Sequence, residues 1–192
     1  AIDVKLFSDD VAVSGVSPAG LLNGVTPVAG PATADPDVIR CALLTLWAGW
    51  DTANLGARPA YYTTPAVARF LAFTRDALGN PAFPGMTATG GTLDGIPVRV
   101  SQYLAALNTT GGSPLILVDE AEVYLADDGS VTLDASREAT IEMSDTPAGS
   151  SSPTVAASET LPVSMWQTNS IAMRAERFIW WGKRRTGAVA YI

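Results

Sequence analysis

The side chains of this chain that could do acid, base or metal chemistry are carboxylates, because its 192 residues include no histidine and a single cysteine, Cys41. That composition rules out a Ser-His-Asp or Cys-His nucleophile and any zinc site built on histidine. Five acids lie close together: Asp119, Glu120, Glu122, Asp127 and Asp128. Such a group could supply a glycosidase carboxylate pair or the oxygen ligands of a calcium ion. Their spacing follows no calcium-loop pattern, and they sit at the ends of short β-type runs and in an Asp-Gly turn, so the favoured reading is a solvated hairpin edge. The glycine-rich run TATGGTLDG lacks the GK[ST] ending of a phosphate loop and the GxGxxG spacing of a dinucleotide fold. It is expected to be a flexible loop tip.

A second group is basic and aromatic. Trp166, Phe178, Trp180, Trp181 and Tyr191 lie within a short span with Arg174, Glu176, Arg177, Lys183, Arg184 and Arg185. Aromatic residues and arginine are what the buried centres of protein interfaces select, since they bury large area and form directed, charge-assisted bonds. Two other readings are open: ordinary core tryptophans beside a solvated KRR turn, or bases stacked on tryptophan with phosphates on the cations. The charge balance weakens the last. The chain carries a formal −7, and residues 174–192 hold five of the twelve basic residues against one acid, leaving 7 basic and 18 acidic residues elsewhere. Generic nucleic-acid binding needs an excess of Lys and Arg on one face. The basic end should instead attract the acidic remainder, within one copy or between copies.

These residues must be positioned by a packed body, and 47% hydrophobic content supplies one. Cys41 lies in the apolar run CALLTLW and is expected to be a small buried hydrophobe, which fits a reducing compartment. No stretch approaches the roughly 18 apolar residues of a membrane span, and AIDVKLFSDD has no signal-peptide pattern, so the expectation is a soluble protein of cytoplasmic origin.

Residues 8–34 are dense in Gly, Pro and Ser and predict an ordered loop or connector. DPDVIRCALLTLWAGW predicts a helix, with Asp35 as N-cap, Pro36 in the first turn and apolar residues at 38, 39, 43, 46, 47 and 50. TPAVARFLAFTRDALG predicts another, capped by Thr64, stopped at Gly79, with Val67, Phe70, Leu71, Thr74 and Leu78 on one face. RPAYYTT, IPVRV, PLILVD, EVYLA, VTLD and ATIEM read as strands, with a hairpin at Asp128-Gly129 between EVYLA and VTLDA. Residues 145–162 read as a long loop, and SIAMRAER as a strand in preference to a helix.

Several of these segments, in this order, resemble the major capsid protein of tailed bacteriophages and prophages with the HK97-like fold. VSGVSPAGLLNGVTPVAG resembles the loop after that family's spine helix. VIRCALLTLWAGW, ARPAYYTTPAVARFLAFTRDALGNPAF and TLDGIPVRVSQYL resemble its axial domain, the last through a small-G-hydrophobic-P-V strand. LILVDEAEVYLAD, VTLDASREATIEM and QTNSIAMRAERFIWWGKRRTGAVAYI resemble the closing part, with an R-x-E-R core at Arg174, Glu176 and Arg177. The resemblance implies an α+β fold: an axial domain with a mixed sheet and flanking helices, plus part of the peripheral domain. It divides the chain into a connector over 1–34, a mainly axial domain over 35–135, and peripheral hairpin, loop and terminal strands over 136–192. The family's N-terminal arm, extended loop and spine helix would precede this stretch.

By the same resemblance the protein is structural and not an enzyme, with no cofactor, no metal and no membrane. It self-assembles into pentamers and hexamers of an icosahedral shell around double-stranded DNA in the bacterial host cytoplasm. The DNA contact is non-specific, and a scaffold or prohead protease are further implied partners. Trp166, Arg174, Glu176, Arg177, Trp180, Trp181, Lys183, Arg184 and Arg185 become candidate subunit-interface residues, the charged ones in ion pairs within or between subunits. Two alternatives remain on residues alone: a cellular binding module that docks its Trp/Arg-rich end, and a hydrolase using carboxylates such as Asp119 and Glu122.

Overall fold

A computed structural model describes residues 2–106, 113–142 and 162–192, so the expected loop at 145–162 lies almost wholly outside the described residues. The chain forms two compact units, one of Ala1–Ala126 with Trp180–Ile192 and one of Asp127–Ile179. The last thirteen positions, from Trp180 onward, group with the first unit.

The first unit is built on a six-stranded mixed sheet. Its strands are β1 (Pro59–Thr63), β2 (Met86–Thr87), β3 (Gly90–Leu93), β4 (Ile96–Val100), β5 (Leu115–Asp119) and β12 (Val189–Tyr191), in the spatial order β12-β5-β1-β4-β3-β2. β1 runs parallel to β4 and antiparallel to β5, with Tyr61 opposite both Val98 and Leu117. β12 closes the other edge against β5, Val189 opposite Val118, and Leu115 and Ile192 exchange backbone hydrogen bonds beyond it. All five residues of β5 are buried, as expected of a strand covered on both faces.

Helix α1 (Ile2–Leu6) is a short turn before the connector, α2 (Pro36–Thr52) the long helix, and α3 (Pro65–Phe73) the second. Asp35 caps α2 as expected, its carboxylate accepting from the Asp37 N–H at 2.9 Å. Ile39, Leu43, Leu46 and Trp50 face the sheet. Cys41 lies off that stripe and is exposed, against expectation, because helical spacing turns it toward solvent. Trp47 donates its indole N–H to the Tyr61 hydroxyl at 2.7 Å, so alternation along β1 puts Tyr61 among the helices. Tyr62 points to the opposite face, where it meets the Phe7 ring at 4.9 Å.

Two sequence expectations fail locally. α3 ends at Phe73 instead of Gly79: Asp76 accepts from the backbone N–H of Leu78 at 2.9 Å and of Asn80 at 2.8 Å, and this local turn competes with helix continuation. Leu78 is consequently exposed, and Phe70 also faces outward. TATGGTLDG is not a loop tip but strand β3 with its flanking turns. A Cβ on Gly91 would lie 2.3 Å from the Gly85 carbonyl oxygen, so backbone packing explains the glycine.

Asp119, at the end of β5, is 1% exposed. Its carboxylate accepts four backbone N–H groups: Arg58 at 3.0 Å, Gly56 and Ala121 at 3.1 Å, and Ala57 at 3.3 Å. Burial pushes its pKa up, but the amides of Gly56, Ala121, Arg58 and Ala57 outweigh it and hold the carboxyl below its ordinary value of 3.8.

In the second unit β7 (Thr132–Ser136) pairs with β10 (Ala172–Glu176), and β8 (Thr140–Glu142) with β9 (Pro162–Ser164). SIAMRAER thus contains the expected strand. The expected hairpin at Asp128-Gly129 does not form: β6 (Val123–Asp127) pairs with β11 (Ile179–Lys183), while β7 pairs with β10. Asp127 accepts from Gly129 N–H at 3.0 Å, and Asp128 N–H donates to the Phe178 carbonyl at 3.2 Å, so the turn changes partners without reversing the chain. Among the described residues no helix is long and apolar enough to cross a membrane.

Asp119→Ala, which leaves four amides without an acceptor, is expected to lower unfolding free energy by about 3 kcal/mol in urea melts. Because the folded-state pKa is depressed, the wild-type contribution is complete above the unfolded value of 3.8 and is lost as pH falls below it. The Ala variant should lack that part of the acid-limb decline.

Candidate assembly surfaces

The basic, aromatic group does not form one cluster: Trp166, Arg174, Glu176 and Arg177 belong to the second unit, and Trp180, Trp181, Lys183, Arg184 and Arg185 to the first. In the first unit most of its polar groups are spent inside the subunit. Trp181 is buried and donates its indole N–H to the Ala19 carbonyl at 2.9 Å. Lys183 Nζ donates to the carbonyls of Leu21 at 3.1 Å and Asn23 at 2.7 Å, and burial lowers its pKa. β11 therefore clamps the LLNG turn of the connector. That turn also packs closely on the chain start, since a Cβ on Gly20 would lie 2.0 Å from the Ser8 carbonyl oxygen.

Arg185 approaches the Glu122 carboxylate at 3.1 Å and Arg184 at 3.7 Å, with the Arg184 N–H donating to the Glu122 carbonyl at 2.8 Å. Glu122 is 6% exposed. A buried carboxylate without a cation would be strongly destabilising, so these arginines neutralise it in place. The five acids do not converge on one site. Asp119 is held by amides, Glu120 pairs with Arg99 at 3.0 Å and accepts from the Tyr62 hydroxyl at 2.8 Å, Glu122 pairs with the arginines, and Asp127 pairs with Arg177. Asp119 and Glu122, the two carboxylates of the hydrolase alternative, are held in separate structural bonds.

Within the second unit the register of β7 and β10 separates two faces. Asp134 lies opposite Arg174 and bonds it at 3.2 Å, and Arg174 Nε reaches Glu176 at 3.3 Å. Arg177 holds Asp127 through both Nε, at 3.0 Å, and Nη2, and the guanidinium lowers that carboxyl's pKa. Alternation sends Leu133, Ala135, Met173 and Ala175 to the other face. Leu133 and Met173 are 65% and 73% exposed, and Trp166 and Phe178 are exposed as well. A two-stranded ribbon with a bare apolar face is marginal in water, so such a face ordinarily has a cover. Trp180, in the first unit, is also exposed.

Sequence reasoning missed part of the surface. α3 reads PAVARFLAF, with one charged side chain in nine residues, and is apolar all round; Phe70 and Phe73 are exposed on its outer side. Val11, Val13 and Val16 are exposed in the connector. The signal was present in the first case, a helix with no polar face. In the second it was not, because a glycine-rich segment has no period to read.

Comparison with known proteins places this architecture. A profile for the Phage capsid family matches residues 6–176. A capsid polyprotein of Pseudomonas phage PAJU2 is 40% identical over 182 residues, covering 94% of this chain and 26% of that protein. Solved structures from Mycobacterium phage Adephagia and Gordonia phage Cozz superpose with TM-scores of 0.59 and 0.58 at 17% and 16% identity. They cover 100% and 99% of this chain but 59% and 57% of theirs. The chain thus spans about a quarter of the capsid polyprotein and under two thirds of these solved relatives. By the extent of the family match and the identity to the polyprotein, the chain belongs to the phage capsid family, and its fold is HK97-like.

Proposed function

We propose that the protein containing this chain is a structural shell subunit. It self-assembles into pentamers and hexamers that close into an icosahedral capsid around double-stranded DNA. The observation that carries the reading is the bare apolar face of the β7–β10 ribbon, set beside an ion-paired opposite face, in a chain of the capsid family. A self-sufficient enzyme or monomeric binding module has no use for a two-stranded ribbon exposed on both sides; a subunit whose faces are covered on assembly does.

In this reading the first unit corresponds to the axial domain and the second to part of the peripheral domain. Trp166, Trp180 and Phe178, with the apolar ribbon face, are contact residues. Arg174, Glu176 and Arg177 are intra-subunit pairs that keep the ribbon's polar face in register. Trp181, Lys183, Arg184 and Arg185 act inside the subunit and hold the geometry that contacts require. Assembly takes place in the bacterial host cytoplasm, with a scaffold and a prohead protease as further partners. The acidic net charge keeps the DNA contact non-specific and confined to exposed cations.

The full-length protein, examined by native mass measurement and negative-stain microscopy, is expected to give five- and six-membered rings or closed shells; a monomer at high concentration and salt overturns the reading. Arg185→Ala tests the division of roles. It removes the nearer cation from buried Glu122 and should lower unfolding free energy by about 2 kcal/mol in dilute monomeric chain. An unchanged urea midpoint with impaired assembly would instead make Arg185 a contact between subunits.

A further inference from the structure

The outer side of α3 carries a groove of about 550 Å³ lined by Ala34, Ala66, Arg69, Phe70, Phe73 and Arg75. Phe73 is 69% exposed. Neither guanidinium has a carboxylate partner among the described residues: Arg69 bonds the Pro65 carbonyl at 3.0 Å and Arg75 the Gly79 carbonyl at 3.4 Å. The groove therefore offers two aromatic rings flanked by two unpaired cations.

The same unit carries a complementary projection. Residues 9–17 form a small turn closed by the Val13–Ser17 bridge, with Val11 and Val16 exposed at 69% and 81%. Asp10 at its base is engaged by Lys5 at 3.1 Å, whereas the Asp9 carboxylate has no cation among the described residues. This turn offers apolar methyl groups beside one unpaired anion.

The two features lie on opposite sides of the six-stranded sheet. α3 packs through Ala68 and Leu71 in the cluster that contains Tyr61. The turn segment is preceded by Phe7, stacked on Tyr62, and followed by Leu21, which lines a cavity with Phe7, Tyr62 and Val118 on the reverse face. The 9–17 turn of one copy therefore cannot reach that copy's own groove. We infer that the 9–17 turn of one copy seats in the α3 groove of the next, Val16 and Val11 against Phe70 and Phe73, with Asp9 facing Arg69 and Arg75. A contact joining unlike patches leaves one patch free on each partner, so it propagates and closes when the rotation permits. The inference rests on the assembly reading above and names the surfaces of one of its contacts.

The test uses two variants of the full-length protein, Val16→Glu and Phe73→Glu, both at exposed positions whose substitution leaves the core intact. At concentrations where wild type is assembled into rings, each variant alone should form no rings, because one half of this contact is disabled in every copy. Mixed in equal amounts they should join as unlike pairs, since only the turn of Phe73→Glu and the groove of Val16→Glu still fit and this contact cannot propagate beyond the pair; native mass separates the two variants and reads the unlike pairs directly. The milder Phe73→Ala should raise the concentration needed for assembly by about 30-fold, the effect of truncating an interface anchor worth about 2 kcal/mol. Normal ring formation by either Glu variant, or a mixture without unlike pairs, overturns the contact and leaves the shell reading standing. Wild type that never assembles overturns both.

Discussion

The buried Asp119 carboxylate is the tie on which the first unit depends. It sits where β5 ends, and its four amide partners come from two directions, three from the stretch that leads out of α2 into β1 and one from the turn before β6. One side chain thus fixes the entry of the central strand and the exit of its neighbour. A neutral acceptor could not satisfy four donors as well, since a carboxylate has two oxygens with roughly four lone-pair sites. The helices on one face and the connector on the other are both laid against strands whose register this anchor holds.

The basic end finds its meaning in the same frame. Its cations do not form a surface field; they are used one by one, on carbonyls of the connector and on a buried acid. An amine directed at two carbonyl oxygens gives position without a countercharge, and burial accordingly makes the charged form of Lys183 harder to keep. The tryptophans divide likewise, Trp181 inward with its N–H satisfied and Trp180 outward. Adjacent residues on a strand take opposite faces, so a pair of aromatics cannot be assigned to one role together.

Much of the fold could be read from residue types. Asp35-Pro36 and Thr64-Pro65 mark helix starts by mechanism, and both caps form. The strands around Tyr61, Val98 and Leu117 follow from β-branched and aromatic runs. Part of what was not legible depended on contacts remote in sequence. Asp128-Gly129 has hairpin chemistry, yet the flanking strands bond to β10 and β11, and no local rule reports that choice. Asp76 ended α3 early through a turn that propensity does not weigh. The acids looked like a possible active site because sequence records their proximity, not that each already has a partner. Cys41 is exposed although its neighbours are apolar, because an apolar run does not say which of its members the helix turns outward.

The pairing of β12 with β5 carries a consequence for the order of events during synthesis. β5 is made well before β12, and the whole second unit is made between them. Until Val189 to Tyr191 emerge, one edge of β5 has no strand to bond, and the adjoining connector lacks the Trp181 and Lys183 that fasten it. A nascent chain at that stage presents an open, apolar strand edge, the kind of surface on which like chains associate out of register. Closing so distant a pair also brings a loop-closure entropy that slows the step. The sheet therefore matures late, and the interval before it closes is when this protein is most exposed to aggregation and to capture by chaperones.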